Sequence, residues 1–449
     1  MKGIKSEAAC IHRAHRLGSA ACAFVSCGRR GGRKEIIMNK EQALKLLCEE
    51  NYYSTNDLRY NRKNGIMMTR EDYAEFLRIK DHLVGEGAEL AVPIALRSFY
   101  SKNIFYIKST QLLSAYNEYL RIITSDYETK HSLLFTRNAE DLMLSRFFSE
   151  IEGSLHIENV PTTRKRIAEI CKNSALKDTN DIIIQNMVQA VSFIVNEAPA
   201  FNKDNLKKLY GILSKDCLEE DKRLLPDAYY RHDRVYIDIY EGAPHAEIEA
   251  CMDSLFAFAN DKESVDKLGI LLPYICHYYV LYVHPYFDYN GRTARMVSFW
   301  LSYIHNTFGA PVFMSEAINE NKGDYYKAIS ETRNTNNDLT YFLIYILETS
   351  IKYSLVYKNM EEIRNELLKT GDTLTSTEWG YVKKIMIHNP NNYFNCRLFT
   401  EYIHSKMSKQ GVSKILDNLT DYGILTKSKN KKRETIYKFN PTLIRYEFN

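Results

Sequence analysis

The stretch His284 to Arg295, HPYFDYNGRTAR, separates two apolar patterns and dictates how they can meet. Upstream lies ILLPYICHYYVLYV, residues 270–283, the richest apolar run in the chain. Downstream, RTARMVSFWLSYIHNTF places Met296, Val297, Phe299, Trp300, Tyr303 and Ile304 on one buried helical face. Pro285 has no N–H and its ring collides with the preceding turn, so no single helix runs through the stretch. Asn290 and Gly291 predict a turn that opens the second helix. A corner is expected, and its side chains are polar.

Those side chains form a coherent set. His284, neutral at physiological pH, can take a proton from a hydroxyl. Asp288 is an oxygen ligand suited to Mg²⁺, which keeps waters and phosphates for most of its shell. The N–H groups and dipole of the helix beginning near Asn290 and Gly291 favour an anion. Arg292 and Arg295, three apart, add two charged forks for phosphate oxygens. Base, metal ligand, anion cradle and arginines converge on transfer of a phosphate-containing group from a nucleotide to a hydroxyl. A turn with a capping Asp and surface arginines explains each residue singly, but not the whole set.

At 449 residues the chain has room for two or three domains. Its net charge of +4 is undiagnostic except that basic residues concentrate in the last thirty positions. No apolar run reaches the eighteen or so residues of a membrane span, so no membrane partner is expected. Nine cysteines without a CxxC pair suggest reduced thiols in a bacterial-type cytoplasm. The segment before Met38 imitates a secretory signal poorly. GRKE at 32–35 can be encoded wholly in purines, like a ribosome-binding site, so translation is expected to start at Met38, with residues 1–37 a start-site artefact or disordered.

Helical periodicity dominates residues 38–137, read as a helical N-terminal domain, and residues 138–354. DAYYRHDRVYIDIYEGAP, 227–244, is the exception. Its alternation at Val235, Ile237 and Ile239 and its closing Gly242 and Pro244 predict an extended hairpin lying beside a site as a flap. A linker helix is expected over 355–373. Residues 374–449 then show three short helical patterns and a basic hairpin, the order of a winged helix-turn-helix. The candidate recognition helix, 408–420, begins with Ser408, Lys409, Gln410 and, further in, Ser413. Lys427, Lys429, Lys431, Lys432 and Arg433 could meet phosphates. DNA and protein docking are both open readings of this architecture.

The motif resembles that of Fic-domain proteins, His-Pro-Phe-x-Asp/Glu-Gly-Asn-Gly-Arg-x-x-Arg, with Tyr286 in place of Phe and Tyr289 in place of the first Gly. Similarity extends over roughly 138–350: AYYRHDRVYI resembles the family's flap strands, with Val235, Tyr236 and Ile237 as target-docking residues, and YYKAISETRNTNNDLTYFLIYIL its closing helices. FFSEIEGS resembles the family's inhibitory motif Ser/Thr-x-x-x-Glu-Gly/Asn through Glu152 and Gly153, with Phe148 in the hydroxyl position. The resemblance implies a mainly α fold: a Fic-type helical bundle with a short β-hairpin flap. It implies a protein adenylyltransferase: His284 deprotonates a Tyr, Ser or Thr hydroxyl on a target protein, which attacks the α-phosphate of ATP. Asp288 would hold Mg²⁺, while Asn290, Gly291, Arg292 and Arg295 would bind the nucleotide. Glu152 would pair with Arg295 and displace the γ-phosphate. Family members often dimerise, so a homodimer is possible. Alternatives are a Fic-fold transferase using UMP or phosphocholine, a de-AMPylating enzyme, or a catalytically silent nucleotide-sensing regulator that binds DNA.

Overall fold

The computed structural model describes residues 40–60, 67–85, 90–99, 102–133, 137–172, 174–237, 240–305, 314–403 and 407–444. The start-site expectation for residues 1–37 lies outside them. The structure is mainly helical, as expected. The chain divides into two compact units, one ending at Leu347 and the other beginning at Glu348.

In the first unit, α1 (Lys40–Leu47), α2 (Thr55–Arg59) and α3 (Arg70–Gly85) precede an antiparallel hairpin of β1 (Ala91–Ile94) and β2 (Ile104–Ile107). This hairpin corrects the all-helical reading of the segment. Every residue of β2 is buried, so the alternation that betrays a half-buried strand is missing. Pro93 is tolerated because β1 pairs only with β2. Helices α4 (Thr110–Leu133), α5 (Arg137–Ile157), α6 (Arg164–Cys171), α7 (Thr179–Glu197) and α8 (Lys203–Ser214) follow. Asp178 and Asn202 cap α7 and α8 by accepting from the N–H three residues on.

The flap comprises β3 (Tyr236–Ile237) and β4 (Tyr240–Glu241), paired Tyr236 with Glu241 and Ile237 with Tyr240. After α9 (His245–Asn260) and α10 (Lys262–Leu268), α11 (Leu271–Val283) forms the centre of the unit, with all its residues buried. It packs against α12 (Asn290–His305). Trp300 of α12 sits edge-on to Phe193 and Phe201, its indole N–H donating to the Pro199 carbonyl at 2.9 Å. Burial of such a ring contributes about 2 to 3 kcal/mol. The corner between α11 and α12 is therefore anchored on both sides by core. Then come α13 (Ser315–Glu320), α14 (Lys322–Asn334) and α15 (Thr340–Thr370). The segment expected as a separate linker helix continues α15 without interruption from Thr340.

The second unit holds α16 (Ser376–His388), α17 (Cys396–Tyr402) and α18 (Lys409–Asp421), then the antiparallel pair β5 (Leu425–Lys429) and β6 (Thr435–Phe439). Val412, Leu416 and Leu419 of α18 are buried, as are Phe399, Tyr437 and Phe439. Among the described residues no helix is long and apolar enough to cross a membrane.

Candidate active site

His284 ends α11 in the left-handed region, φ 54° and ψ 62°, its N–H bonded to the Val280 carbonyl at 2.9 Å. This conformation is uncommon for a non-glycine residue and turns the chain sharply into Pro285. Asn290 closes the loop by accepting from the Tyr286 N–H at 3.0 Å and donating to the Tyr286 carbonyl at 2.8 Å. The Tyr286 ring is fully buried and stacks on Tyr210, with centroids 3.7 Å apart. Asp288 accepts from the Tyr289 N–H at 2.6 Å.

The imidazole of His284 is half-buried near the cations Arg333 and Arg231. Burial pushes its pKa down, the Arg333 and Arg231 charges push it further, and it falls from 6.5 to about 3. His284 is thus neutral at physiological pH, the form a general base requires.

Arg231 is a site residue that the motif does not contain. Its side chain is buried and donates to the carbonyls of His284 (2.8 Å), Asp233 and Ala243, while its N–H donates to the Pro285 carbonyl at 3.0 Å. One guanidinium therefore ties the flap to the corner. Val235, expected in the flap strand, lies just before β3 and accepts from the Gly242 N–H at 3.0 Å. Tyr236 is the most exposed of the three expected docking residues, at 64%.

Arg292 and Arg295 are both buried. Arg292 lies against the Tyr289 ring, its guanidinium carbon 3.4 Å from the centroid, and its Nε and Nη1 have no hydrogen-bond partners. Arg295 donates from Nε to Ser154 Oγ at 2.9 Å and from Nη2 to Glu158 Oε1 at 2.5 Å. The expected partner, Glu152, bonds Arg164 at 3.1 Å instead, and Arg164 also reaches Glu316 at 2.9 Å. This is a correction of register. Ser154, Glu158 and Asn159 in SLHIEN satisfy Ser/Thr-x-x-x-Glu-Gly/Asn at every defined position. The same pattern thus recurs six residues downstream of Phe148.

Local physics explains the pattern. The Asn159 N–H bonds the His156 carbonyl at 3.1 Å and the Val160 N–H bonds the Leu155 carbonyl at 2.9 Å, with Asn159 at φ 59°. This is a Schellman turn ending α5, and its left-handed position suits Asn or Gly. The turn swings Glu158 toward Arg295. Lys322 at the start of α14 secures the same helix end, donating to the carbonyls of His156 and Ile157 (3.3 Å for the latter) and to Asn159 Oδ1 at 3.3 Å. Burial raises the Glu158 pKa, but Arg295, Arg292 and Lys322 outweigh it and hold the carboxylate below its usual range. A Cβ on Gly291 would stand 2.4 Å from Glu158 Oε1, so a side chain there would push the carboxylate out of its present position.

The expected inhibitory residue Gly153 has a packing role: a Cβ there would lie 2.4 Å from the Glu316 nitrogen and 2.6 Å from the Ser315 carbonyl carbon. In the second unit, Lys409, Gln410, Lys427, Lys429, Lys431, Lys432 and Arg433 are all exposed.

Residues 200–302 match the Fic/DOC family model. Among curated proteins, the chain is 23% identical over 231 residues to Protein adenylyltransferase Fic of Nematostella vectensis, covering 49% of this chain and 52% of that protein. It is also 23% identical over 157 residues to Protein adenylyltransferase Fic of Drosophila mojavensis, covering 34% and 30%. The chain thus spans about half, or less, of the length of these relatives. Solved structures that resemble it include Fic-1 (aa134 - 508) of C. elegans, with TM-score 0.47, 16% identity and coverage of 82% and 94%. Another is a Fic family protein of Desulfovibrio desulfuricans G20, with TM-score 0.46, 14% identity and coverage of 75% and 97%. The matched region contains the whole corner from His284 to Arg295.

Proposed function

We propose that this protein transfers AMP from ATP to a hydroxyl of a target protein and is held inactive by Glu158. The observation that carries this reading is the pairing of Arg295 with Glu158 across Gly291, beside a neutral, half-buried His284. A guanidinium already bound to a carboxylate is unavailable to a triphosphate, and the two anions repel.

In this reading the imidazole of His284 takes the proton of the target hydroxyl as its oxygen attacks the α-phosphorus. The bond to the bridging oxygen breaks and pyrophosphate leaves. Arg292, with two unpaired guanidinium nitrogens, binds phosphate oxygens, and Arg295 joins it once Glu158 withdraws. The N–H groups at the start of α12 add an anion cradle. Asp288 is partly exposed, and one of its oxygens accepts the Tyr289 N–H. Among the described residues no group of three or more His, Cys, Asp or Glu gathers to hold a metal, which suits Mg²⁺ bound through one carboxylate and the nucleotide's own phosphates. The ion would neutralise phosphate charge there. The exposed edge around Val235, Tyr236 and Ile237 would dock the target segment by strand addition.

The test compares wild type, Glu158→Gly and Glu158→Gly/His284→Ala with Mg²⁺ and ATP labelled at the α-phosphate, following label on protein. Glu158→Gly is expected to raise labelling at least about tenfold, the equivalent of 1.4 kcal/mol or more. The double variant returns to background. Equal labelling by wild type and Glu158→Gly would remove the inhibitory role, and no label from Glu158→Gly in folded protein would remove the adenylyl transfer itself.

A further inference from the structure

The transferase reading uses nothing after Leu347, yet the second unit has a defined surface of its own. Residues 374–449 hold thirteen Lys and Arg against six Asp and Glu, so with +4 overall the chain before them is net acidic. Positive charge is concentrated here. On α18, the buried face is Val412, Leu416 and Leu419, and the exposed positions Lys409, Gln410, Lys414 and Asn418 offer hydrogen-bond donors and no apolar side chain. The acid on the middle of this helix, Asp417, is occupied: it accepts from Lys427 at 2.6 Å and from the Tyr437 hydroxyl at 3.0 Å. That contact also fastens the β5–β6 pair to α18.

The turn joining β5 and β6 is ordered by one residue. Asn430 Oδ1 accepts from the N–H groups of Lys432 and Glu434, both at 2.9 Å, and the Asn430 carbonyl accepts from Arg433 at 2.9 Å. Arg433 sits in the left-handed region at φ 60°. This network presents Lys431, Lys432 and Arg433 side by side, all exposed.

We propose that the second unit binds duplex DNA, with the donor-rich face of α18 in the major groove and the Lys431–Arg433 turn on flanking phosphates. Charge complementarity selects the partner. Phosphates attract the turn, and Gln, Lys and Asn are side chains that pair with base edges. A protein-docking face would require an apolar centre, and the exposed face of α18 has none.

The test uses the full chain and a fluorescein-labelled mixed-sequence duplex of about 30 base pairs, titrated between about 50 and about 200 mM salt. Wild type is expected to bind with an affinity that falls steeply with salt. Lys431→Glu/Lys432→Glu/Arg433→Glu should weaken binding at least about tenfold and flatten the log–log salt slope by about 3, near one unit per lost cation. Gln410→Ala/Lys414→Ala should weaken duplex binding without changing thermal stability, because both positions are exposed. Absence of duplex binding at the lowest salt overturns the proposal and leaves the face to a protein partner. Binding that neither variant alters, or a single strand bound as tightly as the duplex, overturns it too.

Discussion

Tyr289 is the residue at which this corner departs most from the Fic motif it resembles, and its geometry gives the departure a use. It stands at φ 66°, a conformation costing an ordinary side chain roughly 1 to 2 kcal/mol. Its ring is 4% exposed, and burial on that scale returns about 2 kcal/mol. The ring also forms the platform on which Arg292 lies, at 3.4 Å. A guanidinium held over a ring has its donors fixed in one plane, and Nε and Nη1 of Arg292 are buried there with no partner from the protein. On the Glu158→Gly background, Tyr289→Phe keeps the platform and loses only the hydroxyl's bonds to Arg292 and Cys217, so it should raise KM for ATP less than removal of the ring does. Tyr289→Gly should raise it about tenfold, in line with a desolvated cation–π contact, while kcat stays nearly constant. Steady-state labelling at varied ATP checks this, and a lower KM for Tyr289→Gly would mean that the ring obstructs the phosphates. The motif residues themselves were legible in sequence because each has a distinct chemical capacity. The platform was not, since only folding shows which way a ring at a glycine position turns.

At the scale of elements, α5 and α13 are pressed together without room for a methyl group. Gly153 meets the backbone of Ser315 and Glu316, and Glu150 accepts from the Ser315 N–H at 2.9 Å and from its hydroxyl. Burial raises the Glu150 pKa to about 7, against the opposing pull of those two bonds. Because the neighbours of Gly153 are backbone atoms, they cannot rotate away. Gly153→Ala should cost about 1 to 3 kcal/mol, seen as a lower thermal midpoint. The same helix carries Glu158 at its end, so the variant should also raise basal labelling above wild type. Lost stability with unchanged labelling would show that the turn at Asn159, clamped by Lys322, holds Glu158 without help from α13. Two Glu-Gly/Asn pairs, Glu152-Gly153 and Glu158-Asn159, stand six residues apart on this helix. Glu152-Gly153 imitates the motif's last two residues, but six residues at 100° each set Glu152 about 120° around the helix from Glu158. The sequence signal that distinguishes them is the hydroxyl four residues earlier, Ser154, and Arg295 Nε uses it.

Across the first unit, segments far apart in sequence meet through a buried ion pair. Lys80 of α3 pairs with Asp338, which precedes α15, and both side chains are essentially inaccessible. Asp338 also accepts from the Tyr52 hydroxyl at 2.6 Å and the Thr340 N–H at 3.0 Å, while Lys80 lies over the rings of Tyr52, Phe76 and Tyr341. Backbone bonds reinforce the junction: Leu339 donates to the Phe105 carbonyl at 2.8 Å and Ile107 donates to Thr340 Oγ1 at 2.7 Å. Helical periodicity revealed most helices of this unit, yet neither the β1–β2 hairpin nor this junction. The hairpin is buried on both strands' inner positions without a period, and an ion pair between distant segments leaves no local pattern. Residues 40–133 are thereby built into the unit that holds the His284–Arg295 corner rather than appended to it. Removing one partner leaves a buried charge, so Lys80→Met should cost about 3 kcal/mol. Lys80→Met/Asp338→Asn should recover part of that loss, because no uncompensated charge remains. Urea unfolding followed by both circular dichroism and tryptophan fluorescence reads this directly. Both tryptophans, Trp300 and Trp379, lie outside residues 40–133, with Trp300 in the core of this unit. If the junction joins the segments into one cooperative body, Lys80→Met shifts the Trp300 transition to lower urea. A Trp300 transition that stays at its wild-type midpoint would instead mark residues 40–133 as a module that unfolds by itself.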